Sequence, residues 1–96
     1  MFANIGEDFV INNSEILAII DYNVFMKSTP NKAILELMHK NDRLVIINDQ
    51  VKKSVIILEI DGKLFGIISP ISTGTLSNRF VNFNMYFENL LVSEGD

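Results

Sequence analysis

Hydrophobic positions crowd most densely between Ser54 and Ser69, where two runs rich in β-branched residues flank Asp61-Gly62. Asp-Gly between such runs is the strongest short-range hairpin signal, because both central residues of a type I′ turn take positive φ. A two-residue turn there predicts the register. Ile60 pairs with Lys63, Leu58 with Phe65 and Ile56 with Ile67 on one face; Glu59 with Leu64, Ile57 with Gly66 and Val55 with Ile68 form the other. Both faces are mainly apolar. An antiparallel pair ordinarily keeps one face wet, so this hairpin calls for a second cover, either a helix with further strands or another subunit.

Upstream, Phe2 to Ile5 and Phe9 to Ile11 read as short strands around the turn residues Gly6-Glu7-Asp8. Asn12-Asn13-Ser14 signals another turn, and Ile16 to Ile20 a buried strand ending at Asp21, so the opening of the chain predicts a small β-meander. Ser28-Thr29-Pro30 marks a helix start, with Thr29 as N-cap and Pro30 at the first helical position. Ile34, Leu37 and Met38 follow at helical spacing, Leu35 widens the stripe, and Lys32, Glu36 and Lys40 lie away from it. Asn41-Asp42 ends the helix, which at about ten residues must pack on the sheet to persist.

Arg43 to Ile47 is the next strand. Gly66, inside a strand, predicts a bulge or bend, or else the close approach of another backbone. Beyond the hairpin, Ser69 to Thr75 leads into a short helix through Arg79, with Ser72, Thr73 and Thr75 available to cap it. From Phe80 onward two periods compete. Val81, Phe83, Met85 and Phe87 alternate as a strand does, while Phe80, Phe83, Phe87, Leu90 and Leu91 fit a helix; Asn82 and Asn84 tilt the balance to strand. The last four residues read as a frayed tail. The whole predicts a small, β-rich α+β domain with about five or six strands, one clear helix and a short C-terminal one. Fourteen isoleucines among 96 residues agree with it, since β-branched side chains suit a pleated surface.

Composition narrows the function. The chain is 48% hydrophobic and 21% charged, which suits one packed domain. Its opening, MFANIGEDFV, lacks a basic n-region, and no apolar run nears the roughly 20 residues of a membrane span, so a cytoplasmic protein is expected. Without cysteine there is neither a disulfide scaffold nor a thiolate metal site. His39 is the sole histidine and has no nucleophile-elbow sequence to serve, so it reads as a polar helix end that suits the dipole. Glycines never fall in phosphate-loop spacing. The expectation is a non-enzymatic protein with no cofactor, no metal and no small-molecule substrate.

The net charge of −4 also weighs against a strongly basic nucleic-acid-binding surface. Three acids, Glu88, Glu94 and Asp96, lie near the end, and the remainder is close to neutral. Lys52-Lys53 is the one adjacent basic pair. It reads either as a solvated approach to the hairpin or as two point charges for phosphate, with Arg79 and Lys27 as possible companions.

Four short motifs, N-I-G-E-D-F-V at 4–10, I-I-D-Y at 19–22, K-S-V-I-I at 53–57 and S-P-I-S-T-G-T-L at 69–76, resemble the RemA/RemB extracellular matrix regulatory proteins, and the RemB branch more closely. The resemblance spans residues 1–79 and leaves 80–96 as a C-terminal extension. It implies a LytTR-like fold, closed homo-oligomeric rings, and regulation of biofilm-matrix genes by binding double-stranded DNA through surface arginines. This chain departs from that arginine set: Glu15, Gln50 and Val51 stand at arginine positions of RemA-like members. Lys53 keeps a basic residue at the next family position, Lys52 adds one, and Arg79 matches a basic residue of RemB-like members. The expected nucleic-acid-binding residues are therefore Lys52, Lys53 and Arg79. The alternative is an oligomeric scaffold or protein-interaction module without DNA contact.

Overall fold

The computed structural model describes residues 2–80. The competing strand and helix readings for the following segment, and its frayed tail, lie outside the described residues. Among the described residues, six strands form two sheets. β1 (Phe2–Gly6) and β2 (Phe9–Asn12) make a two-stranded antiparallel sheet. β3 (Ile16–Asp21), β5 (Ser54–Ile60), β6 (Lys63–Ser69) and β4 (Leu44–Ile46) make a four-stranded one in that spatial order. Three helices accompany them: α1 (Tyr22–Phe25), α2 (Thr29–Lys40) and α3 (Thr73–Arg79).

The β5–β6 hairpin has the expected register throughout, from Ile60 opposite Lys63 to Ser54 opposite Ser69. Asp61 and Gly62 both carry positive φ, 53° and 79°, as the two-residue turn requires. Both hairpin faces are covered from within the chain. On one, Val55 and Ile68 pack with Phe25, Leu35 and Met38 of the helical layer. On the other, Ile56, Leu58 and Ile67 pack with Ile5 of β1, Ile16 and Ile19 of β3, and Leu76 and Phe80 at the end of α3. Of the two covers the hairpin called for, the helix with further strands is the one found.

The expected meander does not form. Asn12 accepts a hydrogen bond from the Ser14 backbone N–H (3.0 Å) and starts a 3₁₀ turn, Asn13–Glu15, which sends the chain to the other sheet. There β3 pairs with β5. The β1–β2 ribbon instead lies over the core, contributing Ile5 and, half-buried, Ala3 and Ile11. At the opposite edge β4 runs parallel to β6. Parallel neighbours need a crossover rather than a hairpin, and α2 is carried across the sheet in the connection from β3 to β4. Further bonds, Gly66 N–H to Arg43 O (2.8 Å) and Ile47 N–H to Ile68 O (3.1 Å), extend the β4 ladder to the limits its apolar run predicts.

Helix ends follow local chemistry. Ser28, not Thr29, is the N-cap of α2: its backbone is extended, and its Oγ accepts from the Asn31 N–H (3.4 Å). Thr29 opens the helix, and Pro30 still sits where its missing N–H removes no intrahelical bond. At the other end Asp42 takes positive φ (58°), and the Asp42 and Arg43 N–H groups return to His39 O (3.2 Å) and Met38 O (2.7 Å). That is the Schellman arrangement with aspartate in place of glycine. The short helix α1 has no counterpart among the predicted elements; Asp21 caps it through Val24 N–H (3.0 Å).

Gly66 makes no bulge, and what closes on its Cβ position is side chain rather than backbone. Its pairing with Ile57 is regular, and a Cβ there would stand 2.9 Å from Met38 Sδ and 3.1 Å from Leu44 Cδ1. The glycine is a slot that lets the side chains of α2 close on the sheet. Overpacked cores lose typically about 1–3 kcal/mol, so Gly66→Val should lower the unfolding free energy by about that much in urea titrations. In a double-mutant cycle, Gly66→Ala should cost at least about 0.5 kcal/mol less when Met38 is already alanine. Additive costs would show that the two positions do not press on each other.

Candidate nucleic-acid interface

The segment between β4 and β5 delivers the lysine pair. Asn48 Oδ1 accepts from the backbone N–H groups of Gln50 (2.8 Å) and Val51 (3.1 Å), folding the segment into a compact turn. Lys53 is then held by its backbone on both sides: its N–H donates to Ser69 O (2.9 Å), and its carbonyl accepts from Tyr22 N–H (3.0 Å). The two ammonium-bearing chains leave a fixed stretch of backbone, Lys53 exposed and Lys52 half-buried.

Lys52 enters a cleft of about 690 Å³ formed with α2 and β4. Lys32 and Lys40 line it too, two turns apart on α2, with Glu36 midway between them at i+4 from one and i−4 from the other. His39 stands on the same helical wall. Three ammonium groups against one carboxylate give this cleft a local positive excess in a chain whose net charge is −4. The helical pair was missed by periodicity, which places Lys32 and Lys40 on the polar side of α2 without saying what that side adjoins. Lys53 is not on the cleft wall, although it follows Lys52 directly.

Arg79 is elsewhere and employed. Its Nη1 donates to Asn4 O (2.7 Å) at the end of α3, on the sheet face opposite α2. The structure therefore separates Arg79 from the lysines rather than gathering the three. Glu15 lies in the 3₁₀ turn, while exposed Gln50 and Val51 sit in the Asn48 turn beside the lysine pair. Among the described residues, no group of three or more histidine, cysteine or acidic side chains could hold a metal ion.

The sequence motifs turn out to be joints. Ser69 Oγ donates to Ile5 O and accepts from Ile71 N–H, so one buried hydroxyl ties the hairpin's end to β1. A Cβ at Gly6 (φ 137°) would stand 2.9 Å from Pro70 Cδ, so only glycine seats that proline ring. Ser54, opposite Ser69, donates to Ile71 O (2.8 Å). Thus N-I-G-E-D packs on S-P-I-S, and I-I-D-Y pairs with K-S-V-I through Asp21 opposite Ser54 and Ile20 opposite Val55. A family model described as extracellular matrix regulatory protein A-like (RemA-like) matches residues 2–80.

The chain belongs to the RemA-like family. The matched span runs from the first residue of β1 to Phe80, whose ring is fully buried in the core at the end of α3. No curated protein matches the chain significantly. RemA-like proteins form a regulatory family, and membership implies a regulator of extracellular matrix genes. No helix among the described residues is long and apolar enough to cross a membrane.

For Arg79 the geometry predicts a stability role. A hydrogen bond to a charged donor contributes about 1.5–3 kcal/mol, and exposure moves this one toward or below the lower limit. Arg79→Ala should therefore lower the unfolding free energy by about 1 kcal/mol, read from the urea midpoint. An unchanged midpoint would mean that the link to Asn4 is not maintained in solution.

Proposed function

We propose that this RemA-like regulator acts as a homo-oligomer that holds double-stranded DNA by its phosphates, through Lys52 and Lys53 with Lys32 and Lys40 beside them. The observation that carries the reading is the convergence of Lys32 and Lys40 of α2 with Lys52 on one cleft, with Lys53 next to Lys52 in the chain. Lysine meets phosphate as a compact point charge and reads no base pattern, so affinity from this surface is sequence-independent. One subunit offers few contacts, and an assembly that repeats them makes a weakly charged chain an adequate DNA binder.

The open-end half of the hairpin is occupied internally, so assembly would draw on other exposed apolar surface. Phe2 and Val10 on the β1–β2 ribbon, 69% and 55% exposed, and Leu37 on α2, 61% exposed, are apolar side chains available for contact with further copies. A ring would bury two different patches on every subunit. A scaffold without DNA contact is the second reading, favoured by Glu36 among the lysines and by Glu15, Gln50 and Val51 at family arginine positions.

Retention of the protein on duplex DNA should fall steeply between about 50 and 200 mM salt. The double variant Lys52→Glu, Lys53→Glu should lose retention while its mass by light scattering stays that of the wild-type oligomer. Each phosphate contact contributes about 0.9 to the log–log salt slope, so milder neutral variants should flatten it by about 2 per engaged subunit. Absence of binding by the wild type at low salt would favour the scaffold. A wild-type mass of 10.9 kDa, that of one chain, at micromolar concentration would remove the oligomer.

A further inference from the structure

DNA contact leaves half of the cleft unexplained. Phosphates of a duplex reach ammonium groups at a rim, yet behind Lys32, Lys40 and Lys52 lies an apolar floor of Leu35, Leu44, Ile46 and Ile68. Tyr22 and Met26 line it as well, an aromatic ring and a pliable thioether. A phosphodiester on the outside of a helix has nothing to place there. Inorganic phosphate would use the charges and waste the floor.

The cleft is open to solvent, and its lining suits a small amphipathic molecule laid along it. About 690 Å³ falls within the range of pockets that hold compact organic ligands, and such pockets combine an apolar lining with a few polar groups that fix orientation. We infer that this cleft binds a small organic anion, with an acidic head met by the lysines at its rim and an apolar or aromatic body laid on the floor between α2 and β4. Glu36, between the two helical lysines, disfavours a head of high negative charge and so selects a singly or doubly charged one. Because Lys52 also belongs to the proposed phosphate contact, an occupied cleft withdraws it from DNA. That consequence rests on the DNA-binding reading; the binding of the anion does not.

The direct probe is 8-anilino-1-naphthalenesulfonate, a single sulfonate on an aromatic body, titrated into the full chain and followed by fluorescence and by thermal unfolding. Saturable binding at tens of micromolar is expected, with a rise in Tm, because a ligand that binds only the native state stabilises it. The double variant Lys40→Gln, Lys52→Gln should weaken binding at least tenfold, Ile46→Gln should also weaken it, and Lys63→Gln at the hairpin tip should leave it unchanged. Unchanged affinity in the double variant, or a fall in Tm on adding the probe, would overturn the site. So would inorganic phosphate that raises Tm and displaces the probe at equal concentration, since charge alone would then suffice. Saturating probe should release the protein from immobilised DNA. Release that fails while the fluorescence results hold would overturn only the competition, and failure of DNA binding itself leaves the fluorescence test intact.

Discussion

A hairpin with two apolar faces leaves its chain no wet side to turn outward, and the rest of this molecule is arranged around meeting that demand. Ile56, Leu58 and Ile67 must be covered on one side, Val55 and Ile68 on the other. Burial of such side chains is each a matter of about 1.5–3 kcal/mol, so neither face can be left open in so small a domain. The β1–β2 ribbon and α3 cover the first face; α1 and α2 cover the second. Two buried serines at the open end of the hairpin then join the layers by hydrogen bonds to Ile5 and Ile71.

The same demand builds the cleft. A crossover helix of twelve residues is carried over the sheet toward β4, and the Gly66 slot brings its Leu35 and Met38 down onto the strands. Where α2 meets the strand edge, Leu44 and Ile46 are only half-buried, and the long stems of Lys32, Lys40 and Lys52 stand around them. Lysine stems readily lie over apolar surface while their ammonium groups stay in water. A positive rim over an apolar floor is what remains at the edge of a face that one helix cannot fully cover.

Local pattern made much of this fold legible. Asp61-Gly62 gave away the turn and with it every pair in β5–β6, because the two-residue loop leaves one register. The stripe of Leu35 and Met38 and the Ser28-Thr29-Pro30 start placed α2 to within a residue. What local pattern could not show was destination. Nothing in Ile16 to Ile20 says that it leaves β2 for β5, and the four residues of α1 are too few for a period. Gly66 read as a bulge or bend, or else as the close approach of another backbone; its pairing is regular, and what approaches is the Met38 side chain. Lys52 was visible as half of a basic pair, whereas Lys32 and Lys40 become neighbours of it only through the crossover. Arg79 looked like another surface cation, and its acceptor, Asn4 O, is a backbone atom 75 residues away.

If DNA is bound, its phosphates meet the lysines between α2 and the β4–β5 segment. Hydrogen–deuterium exchange of the full chain, with and without a short DNA duplex at low salt, tests it most directly. Protection on adding DNA should concentrate in peptides covering residues 29–40 and 48–54. Protection centred instead on the β1–β2 ribbon and the Arg79 end of α3 would place the DNA contact on the opposite side of the sheet and rule the lysines out.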